Sequence, residues 1–396
     1  MSEPAFPRPD ASVESIEPET LKERIDAGDD VVVLDTRAPE ESESWRIGGD
    51  GVETINLPYY GFLVDDPDEE LFERLPEDER LVAVCAKGQS SEYVAGLLAE
   101  RGYDAVHLAE GMNGWARLYE YAELDVGADA TVAQYRRPSS GCLAYLIVSG
   151  GEAAVVDPLR AFVPEYVRDA RALGAEIAYA IDTHVHADHV SGVRALADEA
   201  GAEAVIPEPA AARGVEYDSA YATVADGDEL PLGDETIEAV HAPGHTTGMT
   251  AYRVGDVLLT GDGLFVESVA RPDLEDGDEC APAAARRLYE TLHERILPLP
   301  DDTTVAPGHF SDAATPAADG TYTATLGELK SSMAALSMDE ATFVEFVRSD
   351  LPPRPANHEE IVATNLGRNE ATDGEAFELE LGPNNCAAGR DATAGE

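Results

Sequence analysis

The sequence predicts a chain of two units, a small parallel α/β sheet followed by an α+β unit of mixed sheets with outer helices. Three observations carry this. At 396 residues with 44% hydrophobic content, the chain is long enough for two or three domains that each bury a core. Short β-rich runs alternate with stretches of helical periodicity from end to end. In the second part, apolar runs repeatedly stop at a histidine or an aspartate, so a β framework presents polar side chains at its strand ends.

Val31 to Leu34, Leu81 to Cys85 and Ala105 to Leu108 read as strands of the first unit. Between the last two, Val94, Leu97 and Leu98 recur at helical spacing and Gly102 stands ready to end the helix. Strand, helix, strand implies parallel pairing. The second unit opens with Cys142 to Val148 and Ala153 to Val156, a hairpin turning at Gly150 and Gly151. Strands follow at Ala178 to Ile181, Ala204 to Ile206, Thr236 to Val240 and Val257 to Leu259, with helices over Val163 to Leu173 and Val190 to Ala200. Beyond Phe310 the chain is Ala- and Thr-rich, then helical over Leu326 to Ser349, and it ends in a Pro-bearing tail. The expected units are 14–122, 130–350 and a C-terminal extension 351–396, with the boundary in the polar stretch Ala122 to Ser140.

Asp and Glu total 79 against 27 Lys plus Arg, a formal net charge of −52. The acids are interleaved with apolar segments and so form a solvated surface that repels itself at low ionic strength, as in a protein adapted to a salty cytoplasm. Nucleic acid and anionic membranes are excluded as partners on this charge, while a homo-oligomer stays open. The N-terminus carries no apolar core and no later run approaches the roughly 18 apolar residues of a spanning helix, so the expected location is cytoplasmic. The four cysteines, Cys85, Cys142, Cys280 and Cys386, are too far apart for a disulfide framework and read as reduced thiols.

Thr183-His184-Val185-His186-Ala187-Asp188-His189 lies where a strand gives way to a helix. Residues two apart in extended backbone face the same way, so His184 and His186 can share a centre, with the turn aiming Asp188 and His189 beside it. APGHT with His245, TGD with Asp262 and APGH with His309 each add a donor after a β-run. Five of the nine histidines fall in these segments. Imidazole plus carboxylate is a ligand set for Zn²⁺ or Fe²⁺. The run THVHADH, APGHT, TGD, PGH resembles the metallo-β-lactamase superfamily over about 132–309. That resemblance implies an αβ/βα sandwich with metals at one edge. Dinuclear members would use His184, His186 and His245 at one site, Asp188, His189 and His309 at the other, and Asp262 as the bridge. The stretch from Leu264-Phe265 to Ala270-Arg271-Pro272-Asp273-Leu274 is similar to the persulfide dioxygenases, which implies a single Fe(II) on His184, His245 and Asp262 and oxidation of a small-molecule persulfide. Ala270 stands where those enzymes carry Gly, and Phe310-Ser311 where glutathione-using members carry Asp-Tyr. Two imidazoles and a carboxylate leave positions open for O₂ and a sulfur ligand. Arg271 would fork onto a substrate carboxylate beside Asp273, or ion-pair with Asp273. The alternative is a hydrolase of the glyoxalase II kind, cleaving a thioester with two Zn(II).

Leu81 to Val84 delivers Cys85 into the loop Ala86 to Ser91, ahead of a helix whose N-terminus and loop N–H groups favour the thiolate. CAKGQSS, with LDTR at Leu34 to Arg37 and LAEGMNGW at Leu108 to Trp115, resembles a single-domain rhodanese. Cys85 matches that family's persulfide-forming nucleophile, in a sulfur loop of Lys87, Gly88, Ser90 and Ser91. Ser90 replaces the Arg of many members, and Lys87 would restore positive charge or simply face solvent. The first unit is thus expected to carry sulfane sulfur on Cys85 or to act as a sensing module. Cys142, Cys280 and Cys386 sit in no motif and read as structural.

Overall fold

A computed structural model describes residues 12–64, 67–124, 130–349 and 351–388. The acidic linker residues 125–129 and the last eight residues of the expected C-terminal extension lie outside them. Contacts divide the chain into two units, one running to Leu118 and including 137–140, the other formed by 119–136 and 141 onward.

The first unit is a five-stranded sheet in the order Ser15–Ile16, Ala105–Leu108, Leu81–Val84, Val31–Asp35, Val52–Asn56. Every pairing is parallel. The period of two in a strand splits its central side chains between two cores. Val31 and Val33 pack with Leu21, Ile25, Met112 and Trp115 on one face. Val32 and Leu34 pack with Phe72, Val94, Ala95 and Leu98 on the other. A strand buried on both faces has to be apolar throughout, which is why Val31 to Leu34 and Leu81 to Val84 read so clearly.

The second unit holds a seven-stranded sheet, Ala222–Val224, Glu203–Pro207, Glu176–Ile181, Glu152–Val156, Cys142–Ser149, Thr131–Arg137, Glu120–Leu124. A six-stranded sheet follows, Glu229–Leu232, Glu235–His241, Thr250–Val254, Val257–Gly261, Thr304–Pro307, Ala324–Thr325. Leu143, Tyr145 and Val156 of the first sheet share one core with Ile237, Tyr252 and Leu259 of the second, so the sheets face each other. Helices Val163–Ala172 and Val193–Ala200 cover the outer side of the seven-stranded sheet. Ala281–Thr291, Leu326–Ser332 and Glu340–Phe346 cover the other. This is the αβ/βα sandwich.

Three sequence expectations are corrected. Glu120–Leu124 pairs antiparallel with Thr131–Arg137, so the chain enters the second unit before the linker rather than after it. The helical stretch Leu326 to Ser349 is broken at Met333 and Met338, whose backbones are extended, because Leu329, Met333, Ala335 and Phe343 bury against one core only if the chain turns between them. The described part of the expected C-terminal extension, 351–388, belongs to the second unit rather than standing apart: it forms helices His358–Asn365 and Asp373–Leu379 that bury Ile361, Ala376 and Phe377. Among the described residues no helix is long and apolar enough to cross a membrane.

Candidate metal centre and sulfur loop

The metal-binding donors sit where backbone ladders stop. Glu176–Ile181 runs out into Asp182 and the His184–His189 segment, Glu235–His241 into His245, Val257–Gly261 into Asp262 and Thr304–Pro307 into His309. Asp262 and these histidines are almost fully buried, and Asp188 is only 6% exposed. Tight packing explains the glycines of the motif. A Cβ on Gly308 would stand 2.7 Å from Asp262 Oδ1, so only glycine lets the two strand ends approach this closely.

His184 and His245 form one group with Asp262. His184 Nε2 lies 3.7 Å and His245 Nε2 3.5 Å from Asp262 Oδ2. Donors that share an ion at roughly 2.0–2.2 Å stand about 3–3.5 Å apart, so these separations need only a slight contraction. The hydrogen bonds set the tautomers. His245 Nδ1 is 3.0 Å from the Arg271 carbonyl oxygen, which can only accept, so Nδ1 carries the proton and Nε2 keeps its lone pair. Thr183 Oγ1 donates to Asp157 Oδ2 and therefore accepts from His184 Nδ1, again leaving Nε2 as an acceptor. Burial holds both imidazoles below their ordinary pKa, His184 well below with His186 adding to the effect, although Asp262 opposes it. His184 and His245 are thus neutral, preoriented donors.

His189 and His309 belong to a second network. His309 Nδ1 faces Asp262 Oδ1 at 2.5 Å and its Nε2 faces Asp188 Oδ2 at 2.7 Å. His189 Nδ1 and Cys142 Sγ each lie 3.2 Å from that same Asp188 oxygen, and Cys142, Asp188, His189 and His309 form a four-donor group. Burial disfavours charge on His309, but Asp262 and Asp188 outweigh it and hold the imidazole well above its ordinary pKa. His186 groups elsewhere, with Nε2 at 3.1 Å from Asp157 and 3.6 Å from Asp182. Those carboxylates outweigh burial and raise it to about 9.

Whether a cation suits this arrangement is answered by the atoms left over. His184 Nε2, His186 Nδ1, Asp188 Oδ1, His189 Nε2 and Asp262 Oδ2 are buried without a hydrogen-bond partner. An unsatisfied buried polar atom costs about 1–3 kcal/mol, and the facing His184 Nε2 and Asp262 Oδ2 are the pair that a bound cation would satisfy. The donor set fits.

In the first unit Cys85 is buried at the end of Leu81–Val84, directly before the helix Gln89–Glu100. Gly88 N–H and Ser91 Oγ–H donate to its sulfur at 3.1 and 3.2 Å. Gly88 has φ +86, and a Cβ on Gly111 would collide with the Cys85 carbonyl oxygen, which accounts for both glycines. Ser90 is buried, whereas Lys87 is exposed.

Residues 138–309 match the metallo-beta-lactamase superfamily and residues 17–118 the rhodanese-like domain. The human mitochondrial persulfide dioxygenase ETHE1 is 31% identical over 190 residues, spanning 46% of this chain and 69% of that protein. The chain belongs to the metallo-β-lactamase superfamily. Among solved structures it resembles ETHE1 from Myxococcus xanthus, with TM-score 0.52 and 27% identity over 60% of this chain and 98% of that one. A metallo-beta-lactamase from Staphylococcus aureus gives TM-score 0.55 and 27% identity over 62% and 74%.

Several residues of the metallo-β-lactamase unit were not legible in the sequence. Asp157 follows the strand Glu152–Val156 with φ +52, and it orients both Thr183 and His186. Cys142 and Cys386, read as structural thiols, both lie among the buried donors. Asn365, at the end of the helix His358–Asn365, donates to the carbonyls of His186 and His189 and accepts from Ser191 N–H. Arg271 makes the ion pair with Asp273, through Nε and Nη2 at 2.7 and 3.0 Å. Its Nη1 holds the carbonyls of Pro353 and Asn385, and the side chain is 1% exposed. Those contacts occupy the fork that the alternative reading assigned to a substrate carboxylate.

Proposed function

We propose that this protein oxidises a low-molecular-weight thiol persulfide with O₂ to sulfite and free thiol, at one Fe(II) held by His184, His245 and Asp262. The observation that carries the reading is that trio: two imidazoles whose Nδ1 protons are engaged elsewhere, and a buried carboxylate oxygen with no partner. Ferrous iron on two histidines and one carboxylate would supply adjacent open positions for dioxygen and a sulfur ligand. The similarity to a protein named persulfide dioxygenase supports the same chemistry. In the overall reaction a persulfide, dioxygen and water give thiol, sulfite and protons. Thr183 and the Arg271 carbonyl keep the two imidazoles oriented, and the burial of the centre keeps bulk water from competing.

On this reading Cys85 carries sulfane sulfur, with the Gly88 N–H holding its sulfur in place at the head of the loop. Cys85→Ser in the full chain should abolish loading of sulfur from thiosulfate and leave oxidation of a supplied persulfide intact. Equal loss of both would contradict the division.

The four-donor group of Cys142, Asp188, His189 and His309 favours a second reading, a hydrolase of thioesters with two Zn(II). Elemental analysis of anaerobically purified protein, paired with O₂ uptake, separates the two. One iron per chain with persulfide-dependent O₂ consumption, weakened only modestly by His189→Ala, is the expected result. Two zinc ions without O₂ uptake would end the dioxygenase reading.

A further inference from the structure

The segment 384–388 is tied along 268–271 in antiparallel fashion. Ala270 and Ala387 form a β-bridge. Ala388 N–H donates to Val269 O at 2.8 Å, and Arg271 N–H to Cys386 O at 3.1 Å. Ser268 Oγ–H donates to Ala388 O at 2.5 Å, and Arg271 Nη1 to Asn385 O at 3.0 Å. These bonds bracket Cys386 on both sides and fix its register. The thiol is 1% exposed, and its sulfur joins Asp262 and His309 in a group whose donor atoms all lie within 4.8 Å of one another. Asp262 is common to this group and to the group it forms with His184 and His245, and its Oδ2, which those two histidines face, is buried without a hydrogen-bond partner.

We propose that the Cys386 thiolate is a further ligand of the metal centre, so that the bound ion fastens the C-terminal extension over its own site. On binding, the sulfur–metal bond forms and the thiol proton leaves to solvent, with no change of oxidation state. A thiolate is a soft donor, and its presence biases the centre toward iron, cobalt or zinc and against magnesium or calcium. The inference requires the Asp262 metal site only. It rests on the single-metal reading, and its failure is read from sulfur ligation, whereas the failure of that reading is read from the metal count and O₂ uptake.

The test is X-ray absorption and electronic spectroscopy of the full-length protein loaded with Co(II), comparing wild type, Cys386→Ser and Cys142→Ser. Wild type should show a sulfur scatterer at about 2.3 Å from the metal and a sulfur-to-cobalt charge-transfer band in the near ultraviolet. Both should persist in Cys142→Ser and disappear in Cys386→Ser, whose cobalt affinity should fall by about 10- to 100-fold. A wild-type centre with only nitrogen and oxygen scatterers overturns the proposal without recourse to any variant. So does a sulfur signal that survives Cys386→Ser. If Cys386→Ser does not fold, a protein combining Cys85→Ser, Cys142→Ser and Cys280→Ser decides: retained sulfur ligation assigns the ligand to Cys386, and its loss overturns the proposal.

Discussion

Glu267 shows how a single side chain near the metal edge is balanced. Oε1 accepts from Ser311 N–H at 2.9 Å, while Oε2 is buried without a partner. Burial raises the carboxyl pKa above its ordinary value, and the bonds to Ser311 only partly offset it. A carboxyl with a raised folded-state pKa destabilises the fold where it is charged, and the cost is relieved as pH falls through that pKa. Glu267→Gln keeps an acceptor for Ser311 and removes the charge. It should therefore raise Tm at about pH 8 and lose that advantage toward about pH 4. Thermal unfolding of both proteins across this range checks it; a gain that persists unchanged in acid would contradict the burial argument.

At the scale of elements, the helix His358–Asn365 acts on the metal loop through hydrogen bonds and packing, although none of its side chains is among the grouped metal-ligand candidates. Asn365 bridges the carbonyls of His186 and His189, and Leu366 packs on Val185, between the first two histidines of the motif. Leu366→Ala should cost about 2–5 kcal/mol of stability, and Asn365→Ala should lower metal affinity by about 10- to 100-fold with a smaller change in Tm. Denaturant unfolding and metal titration measure the two effects separately. Metal affinity unchanged in Asn365→Ala would show that the loop holds its shape without the helix.

For the whole molecule, electrostatics dominates. A net charge of −52 spread over the surface stores repulsion that counterions relieve. Tm should rise steadily from low to molar KCl, and a flat or falling curve would remove the reading of salt adaptation. The same distribution illustrates how composition and fold separate. Surface charge tells how the molecule meets solvent and nothing about which strands pair.

Sequence alone determined that the first unit is a parallel α/β sheet and that the second holds mixed sheets with polar donors at their strand ends, because both are written in local pattern. Val31 to Leu34 is apolar at every position since its strand is covered on both faces. HVHADH, APGHT, TGD and APGH each end an apolar run, and a strand end is where a side chain can leave the ladder. What the tertiary structure alone decided is partnership. His186 turns to Asp157 and Asp182 rather than joining His184 and His245, and Arg271 spends its fork on Asp273 and on carbonyls of the tail. Cys142 and Cys386 lie far apart in the chain, yet both stand beside His309. Such meetings leave no periodic trace in a sequence. They arise when sheet pairing and burial bring distant segments to one edge, and the desolvated donors there must satisfy one another or share an ion.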